Sequence, residues 1–275
     1  MRKKLGQHFL KDCRIIDQIL SAASIQADDV VVEIGPGTGS LTFPLAERVR
    51  HLVVIEYDPI FVTYLQQRLA NQPHVRIIHA DARRFNYTEL FLTDRLEDRP
   101  VKLVANLPYY AAVPILLAIL HASRMFQQCT FMFQKEVAER ITATPGHKSY
   151  GFLSVTAQYY SKPTYCFTVP AHAFHPPPQV ESAVVHMQVF TQPPVRVINE
   201  EHFFRVVKYA FFSRRKTLKN SLTTHGQGLF SGDVLHQVFE RLHFAPNIRG
   251  EELSVEHFAA LSNELLYVQG KEKRI

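Results

Sequence analysis

Val30-Val31-Val32-Glu33-Ile34-Gly35-Pro36-Gly37-Thr38-Gly39 decides the fold. Its first half is a nearly continuous β-branched run, the pattern of a strand buried on both faces in a parallel sheet. The chain has only 11 glycines in 275 residues, yet Gly35, Gly37 and Gly39 fall within five positions. Such clustering marks backbone that turns tightly or approaches a ligand closely. A helical stretch through Leu45 and Ala46 follows.

The same rhythm continues on either side. Apolar residues at Ile15, Ile16, Ile19, Leu20 and Ala23 have helical spacing, with Asp12 as N-cap. Leu52 to Glu56 reads as a second buried strand. Asp58-Pro59 then supplies an N-cap and an N1 proline for a helix over about Ile60 to Leu69. Val75 to His79, Val101 to Ala105 and Thr130 to Phe133 read as further strands, with an apolar helix between Pro114 and Ser123. Strands alternating with helices predict an α/β, doubly wound, mostly parallel sheet of Rossmann-like type. After about Thr144 the rhythm changes: Thr164 to Val169 and Ala183 to Val189 predict an antiparallel edge. Gln192-Pro193-Pro194 reads as a linker. Beyond it the pattern is helical over His202–Phe212, Thr217–Leu222, Asp233–Leu242 and Ser254–Leu266. The expected domains are 1–194 and a small all-helical C-terminal domain, 195–275.

Composition excludes several classes. Hydrophobic residues make up 46% and charged residues 20%, enough to bury a sizeable core. No run of about 18 apolar residues occurs, so no transmembrane helix and no membrane partner are expected. Met1-Arg2-Lys3-Lys4 is basic, but Gln7, His8, Lys11 and Asp12 interrupt any signal-peptide apolar region. The expected location is the cytoplasm, and the expected state is monomeric. Cys13, Cys129 and Cys166 lie far apart, which argues against a disulfide scaffold or a cysteine-based zinc site. His172 and His175 have no second ligand pair at metal spacing, so no metal site is expected. The net charge of +6 points to a polyanionic partner.

The glycine turn narrows the ligand. The third glycine of a dinucleotide fingerprint would stand where the chain has Ser40, and Pro36 removes an N–H that would donate to a pyrophosphate. Gly35 and Gly37 therefore suit a cofactor with an adenosine and no phosphate, such as S-adenosylmethionine. Glu56, ending the second strand, can accept from both ribose hydroxyls. Asp81, just past the third strand, is placed to accept from the adenine amine. Either acid alone reads as a solvated loop residue; two at successive strand ends beside a glycine turn read as a site.

Asn106-Leu107-Pro108-Tyr109 follows the fourth strand. An adenine amine is a poor nucleophile because its lone pair is delocalised into the ring. The Asn106 amide oxygen and a backbone carbonyl near Leu107 or Pro108 can accept both N–H bonds, aiming that lone pair and stabilising the charge that develops. Pro108 fixes the local backbone, and Tyr109 offers a face for a flipped base. Phe174, opening the stiff Phe174-His175-Pro176-Pro177-Pro178 segment, is read as the other wall of that pocket. Arg214, Arg215, Lys216 and Lys219 form a basic cluster suited either to a solvated helix face or to RNA phosphates. Arg2, Lys3, Lys4, Lys11 and Arg14 would add an N-terminal basic rim.

These motifs, with Leu5-Gly6-Gln7-His8-Phe9-Leu10, Phe133-Gln134-Lys135-Glu136-Val137-Ala138, Phe174 to Val185 and Phe212-Ser213-Arg214-Arg215-Lys216-Thr217-Leu218, cover nearly the whole chain. Together they resemble the small-subunit ribosomal RNA adenine dimethyltransferases, the KsgA family. The resemblance implies a class I methyltransferase domain that uses S-adenosylmethionine, with a helical RNA-facing domain. Its implied activity is N6-dimethylation of two adjacent adenines in the hairpin loop near the 3′ end of 16S ribosomal RNA. A role in late small-subunit assembly is implied as well. By position the cofactor contacts would be His8, Leu10, Gly35, Glu56, Asp81 and Asn106. The family often has Asn where this chain has His8, and a neutral imidazole cannot both donate and accept as one amide does at a single contact. Three rivals remain from the residues: a related enzyme acting on large-subunit RNA, an adenine-N6 DNA methyltransferase (those usually carry Asp at position 106), and an assembly chaperone without catalysis.

Overall fold

Continuous β-branched runs favour extended backbone, and the intervening amphipathic stretches supply the helices that cover the sheet. A computed structural model describes residues 8–94, 100–226 and 230–272. The chain runs β1 (Phe9–Leu10), α1 (Cys13–Ala22), β2 (Val30–Ile34), α2 (Thr42–Ala46), β3 (His51–Glu56), α3 (Pro59–Arg68), β4 (Val75–His79), α4 (Tyr87–Thr93), β5 (Val101–Asn106) and α5 (Ala112–His121). It continues through β6 (Gln128–Gln134), α6 (Lys135–Thr142), α7 (Phe152–Tyr160), β7 (Ser161–Val169), β8 (Phe174–His175) and β9 (Ser182–Val189). The remaining helices are α8 (Glu200–Ala210), α9 (Leu218–His225), α10 (Gly232–Arg241) and α11 (Val255–Glu272). Residues 1–7, and with them Arg2, Lys3, Lys4 and the Leu5-Gly6-Gln7 part of the first motif, lie outside the described residues.

The main sheet has the order β4-β3-β2-β5-β6-β9-β7. β4, β3, β2, β5 and β6 pair in parallel, and β9 runs antiparallel to both β6 and β7. This is the doubly wound sheet with an antiparallel edge that the strand pattern predicts. The order reverses at β2, because β3 lies on one flank and β5 on the other. In open α/β sheets such a reversal leaves a crevice at the carboxyl ends of the two strands. Ile34 and Ala105 are the last paired residues there, so Gly35 and Asn106 enter the crevice side by side. Periodicity did not reveal the small second sheet, in which β1 pairs antiparallel with β8, Phe9 opposite His175 and Leu10 opposite Phe174.

Local capping follows the sequence. The Asp12 carboxylate accepts the Arg14 N–H at the start of α1, and Asp58 accepts the Ile60 N–H behind Pro59. Val31, Val32, Val53, Val54 and Val104 are fully buried in the central strands. Near the opposite end of the sheet, the Lys102 ammonium sits 2.7 Å from the Asp29 carboxylate and donates to the Ser24 carbonyl. The buried cation is thus both paired and hydrogen-bonded.

The chain divides into two compact units, with boundaries at Glu139/Arg140, Tyr160/Ser161 and Gln192/Pro193. The sequence reading placed one boundary at 194/195 and left 140–160 in the first domain; the contacts instead group 140–160 with the helices after Pro193. The physical reason lies in α7. Tyr159 packs against Phe203 with ring centroids 4.9 Å apart, and Tyr160 stacks on Phe204. Both tyrosine hydroxyls donate to the Glu200 carboxylate. Buried aromatic pairs that also satisfy their hydroxyls bind α7 to α8 strongly.

Gly39 has φ +88°, and a Cβ added to it would lie 2.6 Å from the Phe43 ring and 3.1 Å from Leu65. Gly39→Ala therefore costs backbone strain of about 1–3 kcal/mol, plus the displacement of Phe43. The expected outcome is a lowered urea midpoint by circular dichroism; an unchanged midpoint would show that the turn relaxes freely.

Candidate active site

The cofactor half of the crevice is built by the first three parallel strands. The Gly35 N–H donates to the Ile55 carbonyl at 3.0 Å, closing the turn onto β3. Gly37 has φ +55°, and an added Cβ would meet the Phe9 ring at 3.2 Å. Ser40, in the third-glycine position, donates its hydroxyl to the Leu10 carbonyl at 2.6 Å. That bond ties β1 to the turn, which explains why a hydroxyl rather than a bare glycine serves there. Leu10 itself is buried and lines the cleft.

Glu56 ends β3 and is held by three backbone donors. One carboxylate oxygen accepts from Tyr57 and Asp58 at 2.7 Å each, and the other from Gly37 at 3.1 Å. Four lone-pair sites less three bonds leaves one, so this arrangement has room to accept from one further hydroxyl directly and needs an exchange of partners to take two. Asp81 also lines the cleft, but Arg83 clamps it from two residues away: Nε lies 2.8 Å from one oxygen and Nη2 2.6 Å from the other. The Arg83 hydrogen bond holds the Asp81 carboxyl below its usual range.

The acceptor half comes from β5 and its turn. The Asn106 side-chain amide makes no hydrogen bond among those described, and neither does the Leu107 carbonyl. The Pro108 carbonyl is taken by the Ala111 N–H at 3.0 Å. Of the two carbonyls considered from sequence, Leu107 is therefore the free acceptor. Tyr109 is fixed by a 2.6 Å bond between its hydroxyl and that of Ser182, which is buried on β9. Burial raises the Tyr109 phenol, opposed by the Ser182 bond, so the hydroxyl keeps its proton. Phe174 lines the cleft but is buried to 4% exposure in the core cluster with Leu10, so little of its ring is open to the cleft. His8 stands 5.9 Å from the Tyr109 ring, and its Nδ1 lies 2.7 Å from the Pro176 carbonyl. A carbonyl only accepts, so Nδ1 carries the proton of this contact, which in a neutral tautomer makes Nε2 the acceptor.

All these residues surround one cleft of about 1110 Å³, open mouth included. Sequence reasoning missed several of its walls. Tyr57 and Tyr110 are more than half exposed at the cleft, and each directly follows a residue that was singled out. Glu33 was read only as strand, yet it lines the cleft from β2 with one carboxylate oxygen buried and without a partner. Burial pushes its carboxyl up to about 8; the nearby Glu56 charge adds to this and Thr42 opposes it. The carboxyls of Glu33, Glu56 and Asp81 form a wall of acceptors. Such a wall suits a ligand rich in donors and positive charge, as S-adenosylmethionine is with its ammonium, sulfonium, ribose hydroxyls and adenine amine, and opposes a pyrophosphate. The donor set fits that cofactor. Among the described residues no cluster of His, Cys, Asp or Glu could hold a metal, and no helix is long and apolar enough to cross a membrane.

The basic cluster belongs to the helical unit. Arg214 is exposed as well, but its Nη2 donates to the Lys148 and Tyr150 carbonyls and pairs with Glu251 at 3.2 Å. Arg215 and Lys216 are exposed, and Lys219 is half-buried on α9.

Two outcomes follow. Unfolded, Glu33 ionises near 4.5; folded, it keeps its proton to about 8. Between those values folding takes up a proton, so this group lowers stability as pH rises through the window and has no effect below it. Glu33→Gln should flatten the fall in thermal stability between pH 5 and 8; an identical pH profile would show that Glu33 ionises normally. Glu56→Ala should weaken S-adenosylmethionine binding, read by calorimetry, more than it slows transfer at saturating cofactor, because a ribose grip acts equally in ground and transition states.

A family model described as "Ribosomal RNA adenine dimethylase" matches residues 1–265. The chain is 41% identical over 263 residues to "Ribosomal RNA small subunit methyltransferase A" of Alkaliphilus metalliredigens, covering 96% of this chain and 91% of that one. It is 38% identical over 272 residues to the protein of that name from Halothermothrix orenii, covering 99% and 90%. In fold it is similar to a crystal structure of a dimethyladenosine transferase from Plasmodium falciparum, with TM-score 0.78 and 24% identity over 98% of this chain and 99% of that one. It is also similar to the 23S rRNA methyltransferase ErmE, with TM-score 0.69 and 22% identity over 94% and 99%. The cleft and the family match agree, and the chain belongs to the ribosomal RNA adenine dimethylase family.

Proposed function

We propose that this enzyme dimethylates N6 of two adjacent adenines in the hairpin loop near the 3′ end of 16S ribosomal RNA, on the small subunit, late in its assembly. The observation that carries the reading is the pairing of Ile34 with Ala105, which delivers the glycine turn and the Asn106 amide to one crevice. Relatives named for the small ribosomal subunit support the choice of RNA. The cytoplasm, where that RNA is found, is the corresponding location.

When bound, S-adenosylmethionine supplies a methyl group already activated on a sulfonium, leaving a neutral thioether. The protein's task is therefore positioning. The Asn106 Oδ1 and the Leu107 carbonyl accept the two N–H bonds of the target amine and aim its lone pair. Both acceptors strengthen their bonds as positive charge develops on nitrogen. Tyr109, held by Ser182, stacks the flipped base, and Phe174 narrows the far side. His8 presents an Nε2 acceptor, suited to the cofactor's ammonium rather than its carboxylate. A second methylation needs room for the monomethyl amine, which keeps one N–H for a single acceptor. In the helical unit, Arg214, Arg215, Lys216 and Lys219 face RNA phosphates, and the Nη2 of Arg214 also braces their loop.

Asn106→Ala tests the reading. Loss of one preorganised contact of this kind costs about 2.7–4 kcal/mol, a rate loss of roughly a hundred- to a thousandfold. In single-turnover methylation of purified small subunits at saturating labelled cofactor, the variant should lose activity to that extent while still binding the particle. A near wild-type rate would remove Asn106 from catalysis. Label appearing instead in large-subunit RNA or in DNA would overturn the substrate assignment.

A further inference from the structure

Phe212 is the only phenylalanine among the described residues that is exposed, at 62%. Single exposed apolar residues are ordinary, but this one is braced. Its ring lies over the His225 imidazole with centroids 4.2 Å apart and planes tilted by 35°. The imidazole is itself fixed from the other edge, its Nε2 lying 2.8 Å from the Ser213 hydroxyl. The exposed side chains of Arg215 and Lys216 follow within four positions, and the Lys216 ammonium lies 3.4 Å from the Thr224 hydroxyl on α9. Arg214, anchored on the Lys148 and Tyr150 carbonyls and on Glu251, holds the loop in place.

We propose that Phe212, backed by His225, is a stacking platform for an unpaired RNA base, with Arg215 and Lys216 on the phosphates beside it. The inference rests on the reading of the helical unit as RNA-facing and adds a base contact to it. A ring already stacked on one face loses little entropy when a base covers the other. Cations flanking an aromatic plane are the pattern by which proteins hold single-stranded nucleic acid without reading its sequence. An apolar protein partner would be poorly served by the two exposed cations alongside.

Stacking on one aromatic is worth about 1–3 kcal/mol per base, or roughly a five- to hundredfold change in affinity. Phe212→Ala and Phe212→Leu should weaken binding to protein-free 16S ribosomal RNA and to small subunits by that factor. Phe212→Trp should restore it, and the slope of affinity against salt should not change, because stacking releases no counterions. Arg215→Glu with Lys216→Glu should weaken binding and flatten that slope. If Phe212→Ala binds as tightly as the wild type while the charge reversals bind weakly, the platform is wrong and the RNA-facing reading stands. If neither set weakens binding, the RNA-facing reading fails and the platform with it. Retained affinity in Phe212→Leu, or a loss seen on subunits but not on protein-free RNA, would make Phe212 an apolar contact and overturn the proposal.

Discussion

Everything in the catalytic unit depends on the parallel pairing of β2 with β5. A parallel sheet delivers the carboxyl ends of all its strands to one edge, and the reversal of strand order at β2 opens that edge into a crevice. Ile34 opposite Ala105 sets the register. A slip of one residue would exchange the faces of every side chain along the strand. The glycine turn, Glu56, Asp81 and the Asn106 turn are thereby gathered from positions up to 71 apart in the chain. The small β1–β8 sheet closes the arrangement by bringing Phe9 and Leu10 beside His175 and Phe174.

Glu33, Glu56 and Asp81 line the cleft without accumulating three unmanaged charges. Glu56 is spread over three backbone N–H groups, Asp81 is neutralised by Arg83, and Glu33 stays protonated into the neutral range. Each device is different, and each is local. The result is a surface of acceptors with little mutual repulsion, matched to a cationic nucleoside ligand.

The helical unit solves another problem. Its core is aromatic, with Tyr159, Phe203 and Phe258 nearly or fully buried, and its surface loop at 213–216 concentrates cations. Arg214 shows that the members of a basic run in sequence differ in their contacts: it ties the loop to the Lys148 and Tyr150 carbonyls, while Arg215 does not.

Local patterns were legible from residues alone. The β-branched runs, the Asp12 and Asp58 caps, the clustered glycines and the Asn106 turn are short-range features whose physics lies within a few residues, and so the sheet type and the cleft's principal members followed from them. Which partner each polar group takes, near or far in the chain, did not. Nothing in the sequence near Asp81 says that Arg83 folds back onto it, nor that the Pro108 carbonyl is taken and the Leu107 carbonyl free. The assignment of 140–160 to the helical unit depends on Tyr159 and Tyr160 meeting Glu200, some 40 residues on. The sequence by itself determined which elements form and which chemistry they carry, because propensity, capping and periodicity act locally. Only the tertiary structure decided which donors and acceptors remain free, because each hydrogen bond consumes a lone pair or a proton, and its partner is known only once the chain has closed on itself.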